Sequence, residues 1–148
     1  MSALIIRPIT EADHAQWLPL WQGYQVFYKV DLADAVTAST WARLLDPHEP
    51  IHGLVAERDG RLLGFTHHIY HRHTWAVELS CYLNDLFVDP EQRKQGIAEA
   101  LVRAVKADAM ARGTPKIYWL THETNASGRS LYDKIATRSG FLHYSMRG

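Results

Sequence analysis

The sequence is poor in the features that mark secreted, membrane and nucleic-acid-coating proteins. A single cysteine, Cys81, excludes an intramolecular disulfide. The 16 basic residues, Lys and Arg, balance 16 acidic ones, so no overall positive field exists to attract a polyanion. The opening MSALIIRPIT contains no apolar run long enough for a signal peptide or a membrane helix. These absences predict a cytoplasmic protein that binds neither nucleic acid nor membrane.

The composition does provide the material for a folded core. Of the 148 residues, 47% are hydrophobic, and no repeat or linker divides the chain, which predicts one domain spanning residues 1–148. Strand and helix patterns alternate along the chain. The RDG tripeptide has the residues of a tight hairpin turn, and FLHYSMR is expected to form a last strand. The order of these patterns predicts an α/β fold. Cys81, in the apolar run VELSCYLNDLFV, is expected to be a core residue.

The clearest functional signal lies where a strand pattern gives way to the strongest helix pattern, in PEQRKQG. The first N–H groups of a helix are unpaired and attract anions. Gly96 would let a phosphate approach the backbone, and Arg93 and Lys94 add positive charge. Taken alone, the turn fits an ordinary helix start with solvated basic residues equally well. P-loop and dinucleotide-binding glycine patterns are missing, which argues against nucleotide hydrolysis and NAD binding.

The segment Arg93-x-x-Gly96-x-Ala98 resembles the [QR]-x-x-G-x-[GA] signature of the GNAT superfamily of acyl-CoA-dependent N-acetyltransferases. The resemblance covers most of the chain, because KIYWLT, Asn125 and LYDKIATRSGF follow in the family's order. CYLNDLFVDPEQRKQGIAEALV with GTPKIYWLTHETN is similar to the small histone/polyamine acetyltransferase subgroup. The chain departs from the family pattern at two places. It has an extra TRS before Gly140-Phe141, and it has Lys94-Gln95 where the family usually has Gly-x. The resemblance implies a mixed, mostly antiparallel sheet of six to seven strands flanked by about four helices.

The resemblance further implies that acetyl-CoA is the co-substrate and that no metal takes part. The pantetheine arm would pair with the backbone of the strand before the turn, and the pyrophosphate would bind the turn itself. Asn125 would bind pantetheine or the carbonyl, with a helix cap as its alternative, and Lys134 would reach a coenzyme phosphate or face solvent. The expected coenzyme-binding residues are Leu86, Phe87, Val88, Arg93, Lys94, Gln95, Gly96, Ile97, Ala98, Asn125 and Lys134.

Two residues are expected to move protons. Tyr132 matches the family's tyrosine near the thioester sulfur, and a phenol with an ordinary pKa of about 10 can donate a proton to a departing thiolate. Its alternative is a tyrosine packed between helix and sheet. For the attacking amine a base is needed. Asn84 stands where some polyamine-type relatives have a glutamate, so Asp85 is preferred over Glu78, with a structural carboxylate as the alternative.

Four histidines, at positions 67, 68, 71 and 73, invite a metal hypothesis. His67, His71 and His73 would share one face of a strand, but no cysteine accompanies them and acetyl transfer needs no metal. A strand surface near the acceptor, or a dimer contact, is therefore preferred.

The predicted function is acetyl transfer from acetyl-CoA to a primary amine. The acceptor would be a small molecule, polyamine-like or amino-acid-like, or a lysine side chain of a protein. Asp31 and Asp34 would suit a cationic acceptor, although a solvated acidic loop explains them as well. The alternative function is a non-catalytic acyl-CoA-binding regulatory module. A homodimer is expected because many GNAT proteins are dimers.

Overall fold

Five strands form one sheet, in the order β1-β2-β3-β4-β5, in the computed structural model, which describes residues 2–148. The first four strands are antiparallel neighbours, and the fifth runs parallel to the fourth. The prediction of a mixed, mostly antiparallel sheet is confirmed. The strands are β1 (Ile5–Pro8), β2 (Ile51–Arg58), β3 (Arg61–His71), β4 (Ser80–Val88) and β5 (Lys116–Tyr118).

Four α-helices accompany the sheet, as predicted: α1 (His14–Phe27), α2 (Asp34–Leu45), α3 (Ile97–Ala111) and α4 (Ala126–Ile135). Within α3, the residues at three- and four-residue spacing, from Ile97 to Ala109, are the buried ones. Over residues 2–148, no helix has both the length and the hydropathy that a membrane crossing requires.

The hairpin between β2 and β3 turns at the RDG tripeptide. Asp59 and Gly60 both have left-handed backbone conformations, with φ of 53° and 77°, as a two-residue type I′ turn requires. Arg58 therefore pairs directly with Arg61. The turn chemistry predicted from the sequence is confirmed.

The prediction of six to seven strands is wrong, because the expected last strand does not form. Residues 137–148, which include FLHYSMR, contain neither helix nor strand. A strand is defined by pairing as well as by its side chains, and this segment pairs with none of the five strands. The apolar side chains at positions 141, 142, 144 and 146 are thus left exposed.

The sheet is covered on its two faces by different helices. One apolar cluster joins Trp17 and Trp21 of α1 and Leu44 of α2 to Phe65 and Phe87 of the sheet. The other cluster joins α3 to the opposite face and contains Cys81. Burial raises the pKa of the Cys81 thiol to about 11, so this cysteine is the core residue that the sequence predicts.

Candidate active site

A gap opens in the sheet where β4 and β5 separate. The two strands pair only over Ser80–Tyr82, so the part of β4 from Leu83 to Val88 has no partner on that side. Its outer backbone N–H and C=O groups can pair with an extended ligand, as at any sheet edge. The side chains of Phe87 and Val88 are buried, which leaves their backbone as the part that a ligand can reach. Leu86, Phe87 and Val88, expected to bind pantetheine, all line this edge.

The turn between β4 and α3 presents backbone N–H groups to solvent. Lys94 and Gly96 have positive φ values of 64° and 77°, which turn the chain into the helix. The first helical bond runs from the Ala100 N–H to the Gly96 carbonyl, at 3.0 Å. The N–H groups of the residues between them, which include Ile97 and Ala98, precede that bond and lack a helical acceptor. No atom lies within 4 Å of where a Cβ on Gly96 would point, so an anion has room to approach.

Arg93 brings a cation to this turn. Its Nε lies 3.4 Å from the Val88 carbonyl oxygen, and its guanidinium stands 5.6 Å and 5.8 Å from the ring centroids of Phe27 and Phe87. Within the described chain Arg93 forms no salt bridge, so its charge can serve an anionic ligand. Gln95, by contrast, accepts a hydrogen bond from Arg58 at 2.9 Å.

Two of the expected coenzyme contacts lie on or before α4. The Asn125 side chain caps that helix: its Oδ1 accepts the Gly128 N–H at 3.2 Å, and its Nδ2 donates to Thr121 Oγ1 at 3.0 Å. This is the capping role that the sequence left as an alternative. Lys134 is exposed on the same helix. Coenzyme binding by either residue stays a prediction.

Tyr132, on α4, packs against the ring of Trp119 in a T-shaped arrangement with centroids 5.4 Å apart. Burial raises the pKa of its phenol to about 12, with a further contribution from the Tyr28 phenol. A phenol in this environment is protonated at neutral pH and can act as a proton donor. The sequence left two roles open for Tyr132, packing between helix and sheet and proton donation. The structure is compatible with both.

Asp85 lies at the centre of a hydrogen-bonded network that reaches deep into the core. Its Oδ1 accepts the hydroxyl of Tyr24 at 2.5 Å and the amide Nδ2 of Asn84 at 3.0 Å. Its Oδ2 is 2.8 Å from His67 Nδ1. The other ring nitrogen of His67 accepts the indole N–H of Trp17 at 3.1 Å. Trp17 and His67 are completely buried.

The partners in this network determine which nitrogen of His67 carries the proton. The Trp17 indole can only donate, so the Nε2 of His67 must accept. The proton is then on Nδ1, which donates to Asp85, and His67 is neutral. Burial and the adjacent Asp85 carboxylate raise the pKa of the Tyr24 phenol, so Tyr24 donates as well. Asp85 is thus a carboxylate that accepts three hydrogen bonds, and Oδ2 retains a free lone pair for a ligand.

The Asp85 carboxylate lines a cleft of about 530 Å³ between α1, α2 and the sheet. Trp21 and Tyr24 of α1, with Tyr28 at its C-cap, form one wall. Val36, Thr40 and Arg43, at the same spacing on α2, also line it. The cleft is therefore aromatic and apolar with a few polar groups, as small-molecule sites usually are.

Other carboxylates considered from the sequence lie outside this cleft. Val30 and Leu32 line it, but Asp31 and Asp34 do not. Glu78 is exposed and precedes β4. Of these acidic residues, Asp85 is the one in a position to contact a molecule in the cleft.

The four histidines do not form a common surface. His67 and His68 are fully buried and belong to opposite faces of the sheet, since His68 bonds Asp108 of α3 at 2.9 Å. His71 bonds the Tyr118 hydroxyl at 2.6 Å. The preferred strand surface near the acceptor, or dimer contact, does not fit His67 and His68, because both side chains are fully buried. Across residues 2–148, no group of three or more metal-ligating side chains is placed to hold a metal ion.

The sequence did not single out Trp17, Tyr24 and Arg43 as site residues. The aromatic spacing of α1 predicts that several of its rings share one face. It carries no information about which strand residue that face meets, and Tyr24 and Asp85 are 61 positions apart. From the sequence, His67 was considered as a metal ligand, as part of a strand surface near the acceptor or as part of a dimer contact, because nothing local marks it as the partner of Asp85.

The comparisons with known proteins agree with this fold. Residues 9–136 match the family model described as "Acetyltransferase (GNAT) family". The D-amino-acid N-acetyltransferase HPA3 of Saccharomyces cerevisiae is 33% identical over 147 residues, which cover 98% of this chain and 91% of that protein. The uncharacterized N-acetyltransferase YhfO of Bacillus subtilis is 31% identical over 144 residues, covering 95% of each. The chain belongs to the GNAT family and is an N-acetyltransferase.

Solved structures of other acetyltransferases share the fold. AAC(6')-Iy in complex with the bisubstrate analogue CoA-S-monomethyl-acetylneamine superimposes with a TM-score of 0.86, at 16% identity, covering 99% of both chains. The ribosomal-protein-alanine N-acetyltransferase from Brucella melitensis gives a TM-score of 0.78, at 24% identity, covering 99% of this chain and 100% of that one. At these identities the similarity concerns the fold.

Proposed function

We propose that the protein transfers an acetyl group from acetyl-CoA to the primary amine of a small molecule bound in the cleft at Asp85. The proposal rests on the Asp85 carboxylate. It accepts three hydrogen bonds from the protein, which leaves a lone pair of Oδ2 free for a ligand. An alkylammonium supplies the N–H that such a position accepts. A cleft of about 530 Å³ admits a small molecule.

Two features support acetyl-CoA as the co-substrate. The unpaired edge of β4 suits an amide-containing chain such as pantetheine, and the open turn with Arg93 suits a pyrophosphate. Solved relatives of this fold have been captured with coenzyme A or a coenzyme A conjugate. A relative named as a D-amino-acid N-acetyltransferase makes small amines reasonable acceptors.

In the proposed reaction, Asp85 accepts one proton and Tyr132 donates one. Asp85 receives a proton from the bound ammonium, which frees the nitrogen lone pair. The amine attacks the thioester carbonyl and the N–C bond forms. As the tetrahedral intermediate collapses, the C–S bond breaks and the nitrogen loses its second proton to solvent. The departing sulfur takes the proton of Tyr132, which is later replaced from solvent. The products are the N-acetyl amine, coenzyme A and one proton.

The role of Asp85 can be tested with Asp85→Asn, which keeps the side-chain shape but removes the charge. We expect kcat/KM for a reactive amine to fall by about 10²-fold or more, while acetyl-CoA affinity is unchanged. Release of the coenzyme A thiol measures the first quantity, and calorimetry measures the second.

Asp34→Asn is the matched control, because Asp34 is an exposed carboxylate outside the cleft. Unchanged turnover in Asp85→Asn would remove Asp85 from the mechanism. If the wild-type protein binds acetyl-CoA yet releases no thiol with any amine, the non-catalytic acyl-CoA-binding module is the better explanation.

A homodimer is part of this proposal. Its support is the exposed apolar segment after α4: Phe141, Leu142, Tyr144 and Met146 have between 76% and 97% of their surface exposed. A second copy of the chain could cover these side chains. The cytoplasmic location expected from the sequence stays a prediction.

A further inference from the structure

The charged groups lining the Asp85 cleft are one anion and one cation. Among its lining residues, Asp85 and Arg43 are the ones with formal charge. They belong to different elements, since Asp85 is on β4 and Arg43 is in the last turn of α2. The cleft thus has one acidic and one basic side chain among its lining residues.

Arg43 has no partner of its own within residues 2–148. Its guanidinium enters no salt bridge or side-chain hydrogen bond there, whereas Arg7, Arg61, Arg103 and Arg112 each have a carboxylate within 3.0 Å. Its position near the carboxyl end of α2 is favourable for a cation, so Arg43 needs no carboxylate from the chain. The guanidinium retains all its donors for a ligand.

The rest of the cleft is apolar in character. Val36 of α2, Ile51 of β2 and Ile69 of β3 line it together with the rings of the α1 wall. Contact with these side chains favours an apolar or aromatic part of a ligand. An extended polycation would find one carboxylate and would meet the Arg43 charge.

We infer that the acceptor is a free amino acid with an apolar or aromatic side chain, its ammonium bound by Asp85 and its carboxylate by Arg43. This inference rests on the proposed function and adds the acceptor's second charged group to it. A guanidinium binds a carboxylate through paired hydrogen bonds, which an uncharged group in the same position cannot replace. Arg43 therefore determines acceptor specificity and takes no part in bond making.

The test compares acceptors that differ only at the carboxyl position. Both enantiomers of leucine and of phenylalanine are compared with 3-methylbutylamine, 2-phenylethylamine and leucinamide in the thiol-release assay. For the wild-type protein, we expect kcat/KM for at least one enantiomer of an amino acid to exceed that for its matched amine by about 10- to 100-fold. Arg43→Gln should abolish this preference by raising KM for the amino acid, so that its kcat/KM falls to about that of the matched amine.

Two further variants make the result specific. Arg43→Lys keeps the charge but loses the paired geometry, so it should retain part of the preference. Arg72→Gln removes another exposed arginine, one outside the cleft, and should behave as wild type. Equal use of amines and amino acids by the wild type, or a preference that survives Arg43→Gln, would overturn the inference while leaving acetyl transfer intact.

A separate binding measurement distinguishes failure of the inference from failure of the proposed function. Leucine and 3-methylbutylamine are titrated calorimetrically into the protein with coenzyme A present. If no acceptor is acetylated, the proposed function fails. The carboxylate subsite is then supported by tighter binding of leucine that Arg43→Gln removes, and is refuted by equal binding.

Discussion

Tyr28, at the C-cap of α1, lines the Asp85 cleft. After burial, its phenol is the second cause of the raised pKa of Tyr132 on α4. With its pKa at about 12, Tyr132 keeps its proton over the whole neutral range, so the phenol is present as a donor when the C–S bond breaks.

Replacing Tyr132 with phenylalanine removes the hydroxyl and keeps the ring against Trp119. We expect kcat to fall by about 10²-fold or more with unchanged acetyl-CoA affinity. Because the phenol stays protonated below its raised pKa, this loss should be constant between about pH 7 and pH 10. Steady-state kinetics over that range gives both results.

Tyr144→Phe is the control, since Tyr144 is 85% exposed. A melting temperature lowered by loss of about 1 kcal/mol, with kcat unchanged, would assign the Tyr132 hydroxyl to stability instead of catalysis.

The amino end of α3 is the element on which coenzyme binding depends. Helix dipole, unpaired N–H groups and Arg93 all favour an anion at this point. Gly96 and Gly113 stand just before and after the same helix, both with left-handed φ, at 77° and 72°. Neither has an atom within 4 Å of where a Cβ would point, so equal substitutions impose a similar backbone cost at the two ends.

Comparing Gly96→Glu with Gly113→Glu separates the cost of a strained backbone from an effect on ligand binding. Gly96→Glu introduces a negative charge where the pyrophosphate is expected, so acetyl-CoA affinity should fall by about 10²-fold or more. Gly113→Glu should lower stability to a similar extent, about 1 kcal/mol, without a change in affinity. Calorimetry and thermal melts measure the two effects. Wild-type affinity in Gly96→Glu would refute coenzyme binding at this turn.

The whole molecule is a sheet with different chemistry on its two faces. The consecutive residues His67 and His68 belong to opposite faces: His67 bonds Asp85 on the α1 side, and His68 bonds Asp108 of α3. A bulge in β4 opposite these histidines leaves Asn84 without a partner residue on β3. Asp85 follows this irregularity, and bulges commonly redirect side chains beside active sites.

The segment after α4 provides a test of the expected dimer. Removing residues 141–148 deletes the exposed apolar side chains, and we expect the dimer to become a monomer with the fold retained, because those residues form no helix or strand. Sedimentation velocity and circular dichroism measure the two outcomes. His143→Ser, a change of an exposed polar residue in that segment, should leave the dimer intact. A wild-type monomer at tens of micromolar, or a dimer that survives the truncation, would contradict the proposal.

The sequence alone determined the features that depend on neighbouring residues. The type I′ turn at Asp59 and Gly60, the Gly96 turn before α3 and the apolar stripe of that helix all follow from local backbone preferences and periodicity. The family resemblance added candidate site residues that lie far from the Gly96 turn in the sequence, such as Tyr132. The role of Tyr132 as a proton donor stays a prediction.

Only the tertiary structure decided how distant groups meet. Asp85 was chosen from the sequence as a nearby carboxylate, but its partners Tyr24 and His67 lie 61 and 18 positions away, and Arg43 comes from another helix. FLHYSMR has a suitable strand composition, yet it pairs with none of the five strands. Side-chain periodicity is a local property, whereas strand pairing, hydrogen-bond partners and the lining of a cleft depend on contacts between segments far apart in the chain.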